Sequence, residues 1–181
     1  SFSGDYLKRF GNKENITPYL DSLIPHGLWF DQFYASGTRT VRGLEALSMG
    51  IPPTPGQSIV RRPDNDDMYT MGSVLKTKGY DVHYIYGGNS FFDNMGKYFS
   101  NSGYTVLDQR DIPDSLVHLT TAWGADDEAA FNYTSQQCDK SFSSNKPFFN
   151  HIMTVSNHRP YIYPEGRIDI DPKYQSIQGA V

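Results

Sequence analysis

Four residues at one boundary have the chemistry to handle an anion: Thr38, Arg39, Thr40 and Arg42. They stand in "YASGTRTVRGLEALSMGIPPTPG", Tyr34 to Gly56, where an apolar run gives way to a helical pattern. A helix N-terminus leaves backbone N–H groups unpaired and carries partial positive charge, so it attracts an oxyanion. Thr40 falls at or beside the N-cap. Its hydroxyl can attack phosphorus or sulfur once a base or a metal ion lowers its pKa. Arg39 and Arg42 would then offset charge on the transferred group. The same pattern also fits an ordinary threonine cap with solvated arginines.

Two further segments carry polar chemistry. "SNHRPYIYP" places His158 in a loop with Asn157, Arg159 and Tyr161, and a loop histidine among polar neighbours is a site candidate. His151 lies inside an apolar run and reads as a core or supporting histidine. "GGNSFFDN" offers Gly87 and Gly88 for close backbone approach, and Asn89, Asp93 and Asn94 for a polyol or metal-bound water. These three polar residues equally suit turns and caps. His26, His83 and His118 show no partner pattern. His151 and His158 lack the i, i+4 spacing of paired ligands on a helix. A self-contained metal site within the chain is therefore not expected.

The elements that must position these residues alternate. Helices are expected over "TPYLDSLIPHG", with Thr17 as N-cap and Pro18 at N1, over "TVRGLEALSM", and over "MYTMGSVLKTKG", which stops at Gly79. "FFDNMGKYFSNSG" reads as a short helix, and "DDEAAFNYTSQQCDKSFSS" as an amphipathic one with acids in its first turn. "LWFDQFYA", "YDVHYIY" and "YTVLD" read as strands, and "KPFFNHIMTVS" as a strand buried in a parallel sheet. The alternation predicts an α/β fold with a mostly parallel central sheet flanked by helices. Ligands in such sheets bind beyond the carboxyl ends of the strands. That rule selects "SGTRT", "GGNSFFDN" and "SNHRPYIYP" and predicts that they lie together.

Composition narrows the function class. The chain has 181 residues, 38% of them hydrophobic, which suits one globular domain or most of one. A net charge of −4 gives no bulk attraction to nucleic acid or an anionic membrane. Cys138 is the single cysteine, so a disulfide framework is excluded. No apolar run approaches the length of a membrane span. The sequence opens on Ser1 and closes after the apolar "IQGAV", and both ends read as cut.

Three blocks, "GTRTVRGLEALSMGIPPTPG", "YIYGGNSFFDNMGKYFSNSGY" and "PFFNHIMTVSNHRPYIYPEGRIDI", together resemble the sulfatase-type branch of the alkaline phosphatase superfamily. The nearest resemblance is to lipoteichoic-acid-synthase-like phosphoglycerol transferases of bacteria. The likeness runs through nearly the whole chain, with the blocks in family order, so residues 1–181 are expected to be the N-terminal portion of one sulfatase-like catalytic domain. The resemblance implies a threonine nucleophile that binds one metal and carries a covalent phosphoryl intermediate. Sulfatases place the nucleophile ten residues before a glycine; "LSMG" ends at Gly50 and selects Thr40 over Thr38. Arg39 occupies the place of a lysine that precedes the synthase nucleophile.

By the same resemblance His158 matches a substrate-binding histidine. Phe92 and Asn94 stand where the synthases carry tryptophan and arginine around the glycerol-phosphate headgroup, a change that weakens the phosphate clamp. The other metal ligands, a glutamate before Ser1 and an Asp-His pair after Val181, are expected outside the chain, so the chain alone is expected to be inactive. The implied activity is metal-dependent phosphoryl or phosphoglycerol transfer, or hydrolysis of a phosphodiester. The metal is a divalent cation, manganese first, then zinc, magnesium or calcium. The partners are a phospholipid headgroup or other phosphodiester, and a glycan, polyol or water acceptor. The parent protein would be anchored in the inner membrane with this domain on its periplasmic side. A sulfuric ester hydrolase or phosphoethanolamine transferase is the alternative within enzymes, although sulfatases convert a cysteine or serine at the Thr40 position. A binding domain that has lost its metal is the alternative outside them.

Overall fold

A computed structural model describes residues 2–181. Its centre is a parallel sheet of three strands in the order β2–β1–β5: β1 (Asp81–Tyr86), β2 (Thr105–Leu107) and β5 (Phe148–Met153). His83 of β1 pairs with Thr105 on one side and Asn150 on the other. Among the described residues five α-helices surround or precede it: α1 (Pro18–Leu23), α2 (Thr40–Met49), α3 (Met71–Thr77), α4 (Met95–Asn101) and α5 (Asp127–Ser143). A hairpin of two short strands, β3 (Thr120–Thr121) and β4 (Gly124–Ala125), precedes α5. This is the α/β architecture expected from the alternation.

The period-2 pattern of β1 sends its side chains to opposite faces. Val82, Tyr84 and Tyr86 enter a core with Val41, Leu44, Val60, Met95, Tyr98, Phe99 and Tyr104. Ile85 enters a second core with Ile112, Ala129, Ala130 and Tyr133 under α5. Tyr84 stacks on Phe99 with centroids 3.8 Å apart, and burial pushes its hydroxyl pKa well up. His151 sits edge-on to both rings. Burial pushes its pKa down to about 4, so it is a neutral core histidine, as its place in an apolar strand implied.

Helix ends follow their sequence signals. Thr70 and Ser73 form a reciprocal capping box that starts α3 at Met71, later than the spacing from Met68 suggested. Asp126 caps α5 through Ala129 N–H. At Thr17, however, the hydroxyl turns to Tyr6 O and Asp21 instead of capping α1.

Two strand expectations need correction. "LWFDQFYA", residues 28–35, forms no strand: Leu28, Phe33 and Tyr34 are 86%, 77% and 81% exposed. A strand requires a neighbour for its backbone groups, and none of the described residues supplies one. β5 is also less buried than its apolar run implied. Among the described residues it pairs with β1 alone, at a sheet edge, and no residue in it is fully buried.

Candidate active site

The mouth of α2 is open. Arg39 is its N-cap in extended backbone (φ −122°, ψ 149°), and no side chain caps the helix. Thr40 is the first helical residue. Neither its amide nor that of Val41 has a partner among the described residues; the first bonded amide is Arg42 N–H, donating to Arg39 O. Thr38, Arg39 and Thr40 are exposed, and the Thr40 hydroxyl makes no hydrogen bond among the described residues. The structure therefore removes the plain-cap account of Thr40: no cap bond is made. Gly37 is required just before this turn, because a Cβ there would lie 2.6 Å from Arg42 Cβ.

Arg42 does not face the mouth with its charge. Its guanidinium donates to Glu45 Oε1 (2.9 Å), Thr54 O (2.9 Å) and Gly56 O. Glu45 is fully buried and also accepts from Ser58 Oγ and Ile59 N–H, both at 2.7 Å. Burial alone would raise the Glu45 pKa; Ser58, Arg42 and Ile59 outweigh it and hold the carboxyl below its ordinary value. Helix α2 is thus bolted to the loop of residues 54–59, leaving Arg39 as the exposed cation beside Thr40.

That loop leads to the segment after β1. Asn94, at φ 62°, donates its amide to Val60 O (3.0 Å), and Asp93, at φ 52°, pairs with Arg61 (3.2 Å). Asn94 thus fastens two segments, while Phe92, two residues before it, is half exposed. Buried Asp108 holds the same segment by accepting from Ser90 N–H (3.1 Å) and Ser90 Oγ (2.7 Å). Burial opposes its charge, but Arg110 and Ser90 hold its pKa far below the usual carboxylate range.

The segment after β5 is fixed by α5. Asp127 Oδ1 accepts from Val155 N–H (2.7 Å) and Ser156 N–H (2.9 Å). Beyond it His158 is exposed, its ring 4.5 Å from that of Trp123. Partial desolvation lowers its pKa. Trp123, from the β3–β4 turn, meets Phe92 edge-on at 6.4 Å. Trp123 so brings Phe92 and His158 together, while Glu45 and Val60 link α2 to Asn94. Of the three segments chosen from sequence, those after β1 and β5 meet at Trp123; "SGTRT" follows no strand, and it is α2 behind it that is tied toward Asn94. Glu45 and Trp123 escaped sequence reasoning. The one sign of Trp123 was a bulky aromatic beside Gly124 in a short turn.

These residues do not complete a divalent-cation site at Thr40, which offers one hydroxyl oxygen where such ions take several ligands. Among the described residues the one His/Asp/Glu group within ligand reach is His118, Asp126 and Glu128. The isolated reading of His118 is corrected by its distances of 3.6 Å to Asp126 and 3.9 Å to Glu128. The group has other work. Asp126 accepts from His118, Leu119 and Ala129 N–H, and Glu128 holds Arg167 through both oxygens.

Known proteins share this fold. The chain superposes on a crystal structure of an alkaline phosphatase superfamily protein from Vibrio parahaemolyticus with a TM-score of 0.85 and 35% identity, over 94% of this chain and 42% of that one. It also matches the fold of the lipoteichoic acid synthase LtaP from Listeria monocytogenes (TM-score 0.79, 16% identity, 91% of this chain and 42% of that one). Phosphoglycerol transferase I of Xanthomonas euvesicatoria is 25% identical over 151 residues, 78% of this chain and 21% of the relative. The lipoteichoic acid synthase-like YvgJ of Bacillus subtilis is 23% identical over 168 residues, 92% of this chain and 26% of the relative. The chain thus spans roughly a quarter of these curated relatives. Among the described residues no helix is long and apolar enough to cross a membrane. A family model described as Sulfatase matches residues 1–179, and the chain belongs to the sulfatase family within the alkaline phosphatase superfamily.

Proposed function

We propose that this chain is the nucleophile-bearing portion of a metal-dependent phosphoryl transferase, with a phosphoglycerol-bearing phosphodiester as donor. The observation that carries the reading is the uncapped mouth of α2, where the exposed Thr40 hydroxyl and Arg39 stand on a helix anchored by buried Glu45. Thr40 Oγ1 forms a bond to phosphorus as the bond from phosphorus to the leaving oxygen breaks, and the Thr40 proton ends on that oxygen, which departs as an alcohol. A glycan, polyol or water hydroxyl then takes the phosphoryl group and returns a proton to Thr40. The Thr40 and Val41 amides and Arg39 face the equatorial oxygens. His158 and Phe92 flank the headgroup. Arg42 and Asn94 serve this site as fasteners, by the bonds they already make.

Members of this superfamily use divalent metals, and manganese is the ion to test first. Ligands besides Thr40 come, in this proposal, from parts of the protein beyond these residues, so the chain alone does not turn over substrate. The curated relatives named phosphoglycerol transferases and lipoteichoic acid synthases support a phospholipid-type donor and an envelope location, with this domain on the periplasmic face of the inner membrane.

The test compares the intact protein with its Thr40→Ala variant in manganese, following bound metal and release of alcohol from an aryl phosphodiester. Loss on the order of a thousandfold or more in Thr40→Ala supports the nucleophile. Equal turnover by both proteins removes it. Faster turnover of an aryl sulfate would favour a sulfuric ester hydrolase. Two inert, metal-free proteins would favour a binding domain.

A further inference from the structure

We infer that Trp123 is a positioning residue that sets where His158 points, and so fixes the gap between the loops after β1 and β5. The inference rests on the reading of His158 as a headgroup contact.

His158 is an exposed residue of a loop, and its ring makes no side-chain hydrogen bond among the described residues. An unanchored ring in such a place samples several rotamers. The contact that restricts it is the Trp123 ring, at 4.5 Å and an interplanar angle of 31°. The same indole donates from Nε1 to Arg159 O at 2.7 Å. Trp123 therefore grips one loop at two points, the ring of His158 and the carbonyl of the next residue. On its other side it meets Phe92 edge-on, with an interplanar angle of 85°.

Trp123 can orient His158 because its own backbone is fixed. Ala125 N–H donates to Gly87 O (2.9 Å), and Trp123 N–H donates to Thr121 Oγ1 (3.1 Å). Gly124, at φ 136°, lies so close to the turn after β1 that a Cβ there would sit 2.1 Å from Gly87 O. Gly88 has the reciprocal constraint: a Cβ there would sit 2.5 Å from Trp123 O. Position passes from the end of β1 to the hairpin, from the hairpin to the indole, and from the indole to the imidazole. The width of the site is thus set by a side chain that touches neither the phosphorus nor Thr40 in this scheme.

The test uses the intact protein with histidine Cε1 labelled with ¹³C, and three variants: Trp123→Phe, Trp123→Leu and His158→Ala. Trp123→Phe keeps a ring face and loses the N–H; Trp123→Leu loses both. The His158 resonance, shifted by the indole ring current in wild type, moves partway in Trp123→Phe and reaches its free position in Trp123→Leu. The His151 resonance stays in place and reports an intact core. KM for the phosphodiester rises about fivefold in Trp123→Phe and about tenfold in Trp123→Leu, with kcat within about twofold, as the loss of one or two modest contacts predicts. If His158→Ala raises KM while both Trp123 variants leave the His158 resonance and KM unchanged, Trp123 has no positioning role and the headgroup reading survives. If His158→Ala leaves KM unchanged, the headgroup reading fails and the inference fails with it.

Discussion

The segment of residues 28–35 and helix α2 are close in sequence and opposite in construction. Both are rich in apolar residues. Residues 28–35 leave Leu28, Phe30, Phe33 and Tyr34 exposed and form no regular structure. Helix α2 buries Val41, Leu44 and Ser48, and seats a carboxylate, Glu45, where a hydrophobe would be routine. Apolar content alone therefore decided nothing. What differs is partners: the loop of residues 54–59 donates two hydrogen bonds to the Glu45 carboxylate and α2's own Arg42 a third, whereas residues 28–35 are met at Asp31 by the exposed Arg9 and at Trp29 by Phe10, with Leu28, Phe30, Phe33 and Tyr34 left in solvent. Rigidity beneath Thr40 comes from satisfied polar groups as much as from packed methyls.

The sharpest way to break this contrast is Glu45→Ala. It strands the inward-facing Arg42 and leaves Ser58 and Ile59 without their acceptor. Loss of one partner of a buried pair costs about 3 kcal/mol, which a urea titration of wild type and variant would read. A smaller loss would mean that water enters and replaces the carboxylate.

Gly72→Ala tests packing in place of charge. Its Cβ would lie 2.2 Å from Tyr104 Cζ, and Gly72 N–H donates to the Tyr104 hydroxyl at 3.0 Å. Overpacking there costs about 2 kcal/mol, visible as a lowered midpoint in the same titration.

A third probe uses pH. His151 is neutral in the core, with its pKa pushed down to about 4 from 6.5. The unfolded chain takes up a proton before the folded one does. The stability associated with this residue is complete above about pH 6.5 and falls as pH drops toward 4. His151→Phe flattens that limb of a stability–pH curve while leaving neutral-pH stability nearly unchanged; an unaltered limb would show that His151 is hydrated.

The smallest effect belongs to the exposed segment. Leu28→Ser changes unfolding free energy by no more than about 0.5 kcal/mol, because little area returns to water. A large loss would show that the segment is packed in solution.

The same contrast explains what could be read from sequence. β1 was legible because the alternation in "YDVHYIY" maps directly onto two faces. Helix α2 was legible from its spacing and from Gly50, which ends it at φ 69°. The strand expected at 28–35 failed because a short apolar run records burial but not the neighbour that must supply it. Thr40 and Arg39 could be placed at a helix mouth because the start of a helix is a local signal. Arg42 looked equally free from its position, yet its partners lie 12 and 14 residues ahead at Thr54 and Gly56. Trp123 was silent for the same reason on a larger scale: it contacts residues 31 positions back and 35 positions ahead, at Phe92 and His158.

Asp127 ties the start of the His158 loop to the first turn of α5, and this has a consequence in time. The amides of Val155 and Ser156 are released to solvent only when that helix turn lets go. Their hydrogen exchange therefore follows the slow opening of β5 and α5, while the amide of Arg159, a few residues on, exchanges on the fast clock of a surface loop. The boundary between slow and fast clocks falls just before His158, so the backbone of this loop opens to solvent without loosening the sheet that carries it, and the hold on the His158 ring is left to Trp123.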